Sequence, residues 1–252
     1  SIKINKKPKA IILVHLYGMP AKINEIKEIS KKYEIPLIED AAEALGSNYD
    51  GIPLGTIGDF GILSFNGNKI ITTSGGGALI SRSFEHSKKA KFLSSQAKEN
   101  TIYYQHKEIG YNYRISNVLA AIGLGQIEQI DKKIKIRRKN FSLYKKYLNN
   151  IEEISFLEEP LNFYSNRWIT TILVSSQNGF CKEKIIRKLR KNKIESRPIW
   201  KPMHLQPLYK KYKFYNNNSS DKLFDLGLCL PSGTTLTEEQ ISKISQIIIS
   251  SK

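Results

Sequence analysis

Apolar positions along this chain come in short runs, separated by stretches with the period of a helix. "KAIILVHLYG", residues 9–18, predicts a short buried strand running into a loop. "INEIKEISKKYE", residues 23–34, sets Ile23, Ile26 and Ile29 at helical spacing with charges between them. "IPLIEDAA", residues 35–42, is another apolar run, and it reaches Glu39 and Asp40. Strand, helix and strand in that order make a βαβ unit, so a parallel sheet is expected. Ligands of such sheets gather at the carboxyl ends of the strands, where Asp40 stands.

"GDFGILSF", residues 58–65, predicts a further strand that leads directly to Lys69. "GGGALISRS" (75–83) reads as a turn and a short strand, "SFEHSKKAKFLSSQAK" (83–98) as a helix, and "EIGYNYRIS" (108–116) as a polar, aromatic loop. Residues 117–150 predict a long helical region, bent near Gly123 and Gly125, that leads to a second, smaller unit. There "RWITTILVSS" (167–176) predicts a strand and "KEKIIRKLRKNKI" (182–194) a helix. "TEEQISKISQIIISSK" (237–252) predicts a closing helix, with Thr237 as N-cap and Gln240 at capping-box spacing. "YNNNSSDK" (215–222) is a polar surface loop. The pattern divides the chain into residues 1–130 and 131–252.

Composition changes this picture little. The 252 residues suffice for one or two domains, and 40% apolar content is globular. The net charge of +17 raises nucleic acid as a partner, but the lysines are scattered and no recognition motif accompanies them. The charge is better suited to anionic ligands such as nucleotide sugars or phosphates. Cys181 and Cys229 form no CxxC and no metal spacing, so no metal is expected and a reduced, cytoplasmic setting is the simplest reading. No apolar run approaches a membrane span.

The chemistry centres on "SFNGNKIITTSGGG", residues 64–77. Most lysines are solvated surface groups. Lys69 instead follows a buried strand, precedes a glycine turn, and lies 29 residues after an acidic strand end. A Walker loop places its glycines before the lysine, not after it. A lysine in a tuned site can bond an aldehyde covalently. Pyridoxal phosphate needs such a lysine, together with a carboxylate on its ring nitrogen, for which Asp40 is the candidate.

Several blocks, in order, resemble the DegT/DnrJ/EryC1/StrS sugar aminotransferases: "IEDAAEALGS", "GDFGILSFNGNKIITTSGGGALI", "EIGYNYRISNVLAAIGLGQIEQID", "RPIWKPMHLQPLY" and "LCLPSGTTLTEEQI". The wording of "EDAAEALGS" and "NGNKIITT" is most similar to the branch that aminates UDP-4-keto-6-deoxy-N-acetylhexosamines in the bacillosamine and legionaminic acid pathways. The resemblance implies an α/β PLP-dependent transferase fold of the aspartate aminotransferase type. Its large domain would be partial, with a mixed, mostly parallel sheet, and a small α+β domain would follow.

It further implies that Lys69 carries the cofactor and later moves the proton, and that Asp40 holds the pyridine nitrogen. Glu43 would lie near the ring hydroxyl, and Ser64 would bond the cofactor phosphate. Asn112 falls where a neighbouring subunit reaches that phosphate, with Arg114 as the alternative. Family dehydratases have histidine in place of Lys69, so the lysine points to amino transfer. Glutamate would give its amine first, yielding 2-oxoglutarate, and the amine would pass to C4 of a UDP-linked ketosugar. A homodimer with shared sites is implied. The resemblance places Arg197, Trp200 and His204 near the substrate entrance, although a lone histidine such as His204 is more often structural. His15, at a strand end, is a candidate for substrate or for packing. "KKIKIRRK" reads as a solvated helix face.

Relatives carry a substantial portion before the "VHLYG" strand, with a phosphate-binding loop and a ring-stacking aromatic. This chain begins almost at that strand, so part of the cradle and of the sheet is expected to be missing, and apolar sheet surface to be exposed. A fragment, or a second chain supplying the rest, are the two explanations. The alternatives to an aminotransferase are a non-catalytic remnant that holds no cofactor and a basic nucleic-acid-binding domain.

Overall fold

The computed structural model describes residues 8–176, 179–215 and 217–251. The chain forms two compact units. One comprises residues up to Ile134 together with Glu159–Trp168; the other comprises Lys135–Glu158 and Ile169 onward. The sequence pattern placed one cut near residue 130, whereas the segment 159–168 belongs with the first unit.

The first unit begins with β1 (Ile11–Val14), α1 (Ile23–Tyr33) and β2 (Leu37–Asp40). β1 and β2 pair in parallel, as the βαβ reading requires. α1 ends at Glu34, whose left-handed backbone (φ 50°) turns the chain toward β2. Two short strands, β3 (Asn48–Tyr49) and β4 (Ile52–Pro53), come before β5 (Phe60–Ser64) and β6 (Gly77–Ser81). The main sheet runs β1-β2-β5-β6, with β5 parallel to β2 and β6 antiparallel to β5. α2 (Phe84–Ser94) starts at Ser83, whose Oγ accepts from His86 N–H at 3.2 Å.

α3 (Asn117–Ile127) and α4 (Ile130–Leu148) are separate helices. The break falls at Glu128 and Gln129, not at the glycines. Gly123 instead lets α3 lie against Thr73, since an added Cβ would stand 2.9 Å from that methyl. β7 (Ile154–Phe156) belongs to the second unit, but β8 (Phe163–Tyr164) pairs with β3 in the first. Tyr49 and Phe163 meet edge-on across that pair, 5.0 Å between ring centres.

The second unit continues with β9 (Thr170–Val174), α5 (Lys182–Lys191), β10 (Arg197–Pro198), α6 (Ser219–Leu226), β11 (Gly227–Leu230) and α7 (Glu238–Ile249). Its sheet is antiparallel, in the order β10-β11-β9-β7. Tyr144, Leu148, Ile172, Val174, Phe180, Ile185, Leu189, Leu228 and Ile241 are among the buried side chains that fill its core. α7 carries the predicted capping box, with Thr237 and Gln240 bonded to each other's backbone N–H. No helix among the described residues is long and apolar enough to cross a membrane.

Candidate active site

β5 delivers the chain into the loop that carries Lys69. Lys69 N–H donates to Asn66 O at 3.0 Å, and Thr73 N–H returns to Phe65 O at 2.9 Å. Thr72 N–H reaches Gln126 Oε1 on α3 at 3.2 Å. The glycines act where the loop re-enters the sheet. Gly76 has φ 95°, and a Cβ on Gly77 would stand 2.3 Å from Leu63 O.

The Lys69 side chain is only 13% exposed. Its Nζ lies 4.3 Å from the centre of the Trp168 ring and 3.8 Å from Glu43 Oε1. The indole face and the carboxylate both attract an ammonium there. Glu43 is held by its second oxygen, which accepts from Tyr17 N–H at 2.6 Å. Trp168 is buried, and its Nε1–H donates to Asn68 O at 2.8 Å, beside the lysine itself.

Asn166 ties these pieces together. Its Nδ2 donates to Glu43 O and Leu45 O, both at 2.9 Å, and its Oδ1 accepts from Trp168 N–H at 2.9 Å. Asn166 N–H donates to Ser47 Oγ at 2.9 Å, and that hydroxyl donates to Gly18 O at 2.7 Å. Gly18 must be glycine: its φ is 80°, and a Cβ would overlap the Asn166 amide. Asn166 and Trp168 are not among the site residues that the sequence predicts. The pattern sets Trp168 in a strand of the other unit, and a two-residue strand pairing far back along the chain leaves no local periodicity. The sequence signal that was available is the asparagine and tryptophan flanking Arg167.

Asp40 and Ser64 end neighbouring parallel strands. Register sets Val14, Asp40, Ile62 and Leu79 in one row, so their side chains share a face, and Ser64 follows two residues after Ile62 on it. Asp40 Oδ1 accepts from Ala42 N–H at 3.1 Å. Ser64 Oγ accepts a long bond of 3.4 Å from Asn66 N–H, and its own proton has no acceptor among the described residues.

The opposite face carries Glu39, which is fully buried. Burial raises its carboxyl pKa. Together, His15 Nε2 at 3.1 Å and the N–H groups of Gly58, Gly55 and Ile57 at 2.5, 2.8 and 2.6 Å outweigh that effect and hold the pKa below its ordinary value. His15 departs from the substrate role considered for it. It is fully buried, Nδ1 accepts from Ala21 N–H at 3.1 Å, and Nε2 faces Glu39. Both ring nitrogens are used inside the protein.

Asn112 and Arg114 are exposed on the segment after α2, where Asn112 makes a backbone bridge to Ser95. No described contact joins either to Lys69. Arg197 and His204 lie in the second unit and have partners there. Arg197 pairs with Glu195 at 2.5 Å, and His204 Nε2 meets Asp221 Oδ1 at 2.7 Å with its ring stacked on Phe214.

The sequence profile of the DegT/DnrJ/EryC1/StrS aminotransferase family matches residues 1–249. EpsN of Bacillus subtilis (strain 168), named for pyridoxal phosphate-dependent amino transfer, is 46% identical over 96% of this chain and 63% of its own length. GDP-perosamine synthase of Escherichia coli O157:H7 is 36% identical over 98% of this chain and 66% of its own. The solved structure of Helicobacter pylori PseC, an aminotransferase involved in pseudaminic acid biosynthesis by its description, superposes with a TM-score of 0.91 at 25% identity. That superposition covers 99% of this chain and 68% of PseC. The chain thus spans a little under two thirds of EpsN's length. It belongs to the DegT/DnrJ/EryC1/StrS aminotransferase family.

Proposed function

We propose that this family member holds pyridoxal phosphate and transfers an amino group from glutamate to C4 of a nucleotide-linked 4-keto-6-deoxy sugar, as one subunit of a dimer. The observation that carries the reading is Lys69: a nearly buried amine between Glu43 and Trp168, on the loop that leaves β5 at Ser64, the strand paired with the one that ends at Asp40. The names of relatives add the substrate class, since GDP-perosamine synthases and UDP-linked amino-sugar transaminases are among them.

The donor set fits the cofactor by its chemistry. An amine suits the aldehyde, a carboxylate suits the ring nitrogen, and a hydroxyl with an unengaged proton suits a phosphate oxygen. When bound, pyridoxal phosphate supplies an electron sink that lets a proton leave the carbon bearing nitrogen. Lys69 Nζ would be the base that takes and returns that proton. Glu43 and Trp168 confine the amine, and Asn166 fixes both against each other. Asp40, on the open face of the sheet, would hold the ring-nitrogen proton, and Ser64 would donate to the phosphate.

The test is to add pyridoxal phosphate to the purified chain, record the visible spectrum, and reduce with borohydride. A cofactor adduct located on Lys69 by peptide mass, and absent from Lys69→Ala, is the expected result. A spectrum unchanged by the chain, or an equal adduct in Lys69→Ala, overturns the reading that this chain by itself holds the cofactor, in favour of a remnant or of a chain that needs the N-terminal portion its relatives carry.

A further inference from the structure

The second unit contains a cavity of about 410 Å3, lined by Ile186, Arg190, Lys193, Ile194, Glu195, Ser196 and Arg197. It lies where α5 ends and the chain turns into β10. Three of its side chains are cations and one is an acid, leaving a net charge of +2. Basic residues in the last turn of a helix ordinarily offset the helix dipole, and that accounts for part of the charge. Two further features are not explained by it.

Ser196 lines the cavity, and its Oγ is buried without a hydrogen-bond partner among the described residues. An unmet buried hydroxyl is costly and calls for a polar group. Lys193 is the second. It takes the left-handed position after α5, with φ 59°, where glycine is the usual residue. A long cation thus stands at the cavity where a residue without a side chain is usual. Arg190 and Lys193 have no described acidic partner, whereas Arg197 is engaged by Glu195 through Nη2 at 2.5 Å and Nε at 2.7 Å.

We propose that this cavity binds a phosphate-bearing small molecule, with the phosphate between Arg190, Lys193 and Ser196 and an apolar body against Ile186 and Ile194. A phosphate dianion matches the net charge and offers enough acceptor oxygens for the guanidinium, the ammonium and the hydroxyl together. The volume suits a small organic molecule. The acid Glu195 competes with the ligand for Arg197. The site does not depend on the Lys69 reading.

Phenyl phosphate is the probe, followed by amide NMR of the whole chain, with inorganic phosphate and sodium chloride at equal ionic strength as comparisons. The amides of Ile194, Ser196 and Arg197 should shift saturably with phenyl phosphate, and more weakly with inorganic phosphate because the apolar wall is then unused. Lys193→Gly relieves the strained backbone, so it should keep the melting temperature while weakening binding about tenfold. Ser196→Ala should weaken binding to a similar extent, Glu195→Gln should tighten it several-fold, and Lys69→Ala should leave it unchanged. Shifts reproduced by sodium chloride, or affinity untouched by Lys193→Gly and Ser196→Ala, would overturn the site. Loss of binding in Lys69→Ala would also overturn it, by relocating the probe to the other unit.

Discussion

The two units treat their apolar side chains in opposite ways. In the second, helices α5 and α7 cover a four-stranded antiparallel sheet, and large residues such as Phe180, Ile185, Leu189, Leu228 and Ile241 are completely enclosed. In the first, the enclosed cluster is Ile23, Ala41, Ala44, Leu54 and Ile57, while Ile12, Val14, Ile62 and Leu79 lie exposed on one sheet face. α3 is apolar along its length, yet buries none of its residues; Val118 and Leu124 are 71% and 63% exposed. An apolar surface of that extent marks an interaction face rather than ordinary exterior. The second unit is therefore held by hydrophobic packing. The site of the first is held by polar bonds: Asn166 to Glu43 and Trp168, and Glu39 to His15 and its three backbone donors.

That contrast sets the order of expected effects. Leu228→Ala, in the closed core, should cost about 3 kcal/mol, read as a lowered denaturation midpoint. Asn166→Ala should cost about 2 kcal/mol by leaving the Glu43 and Leu45 carbonyls and the Trp168 N–H unmet, and should also abolish borohydride trapping at Lys69. A variant that loses stability but still traps cofactor at the parental level would break the link between this asparagine and the site.

Glu39→Gln should cost about 1–2 kcal/mol at neutral pH, and it has a pH signature. The folded pKa of Glu39 is lowered, so its contribution is fully present above the ordinary value of 4.5 and is lost as pH falls through the lower folded value. Acid titration of stability should therefore be flatter in the Gln variant over that range. An unchanged acid limb would remove Glu39 as the cause.

Thr237→Ala, which removes one half of the capping box, should cost about 1 kcal/mol. Ile122→Ser, on the exposed face of α3, should stay within about 0.5 kcal/mol. A cost as large as that of Leu228→Ala would show the α3 face covered by a partner in solution, and the contrast between the units would then hold only for the unassociated chain.

Part of this molecule was legible in its residues alone. The continuous apolar run at residues 11–14, the helical spacing of Ile23 and Ile26, and the run at 37–40 predict β1, α1 and β2, because each depends on contacts that recur every few residues. The capping box at Thr237 is local in the same sense. The order of motif blocks identified the family, and the setting of Lys69 marked it out among the chain's many lysines.

What the tertiary structure decided depends on residues far apart in sequence. Glu39 and Asp40 are adjacent acids, but strand alternation sends one to a buried network and the other to the open face. His15 at a strand end looked available, yet packing consumes both its nitrogens. Trp168 reaches Lys69 and Asn166 reaches Glu43 from the segment whose Phe163–Tyr164 pairs with Asn48–Tyr49. Local periodicity records which face of an element is apolar. It carries no record of which distant side chain completes a hydrogen bond, because that partner is fixed by chain crossing and not by spacing.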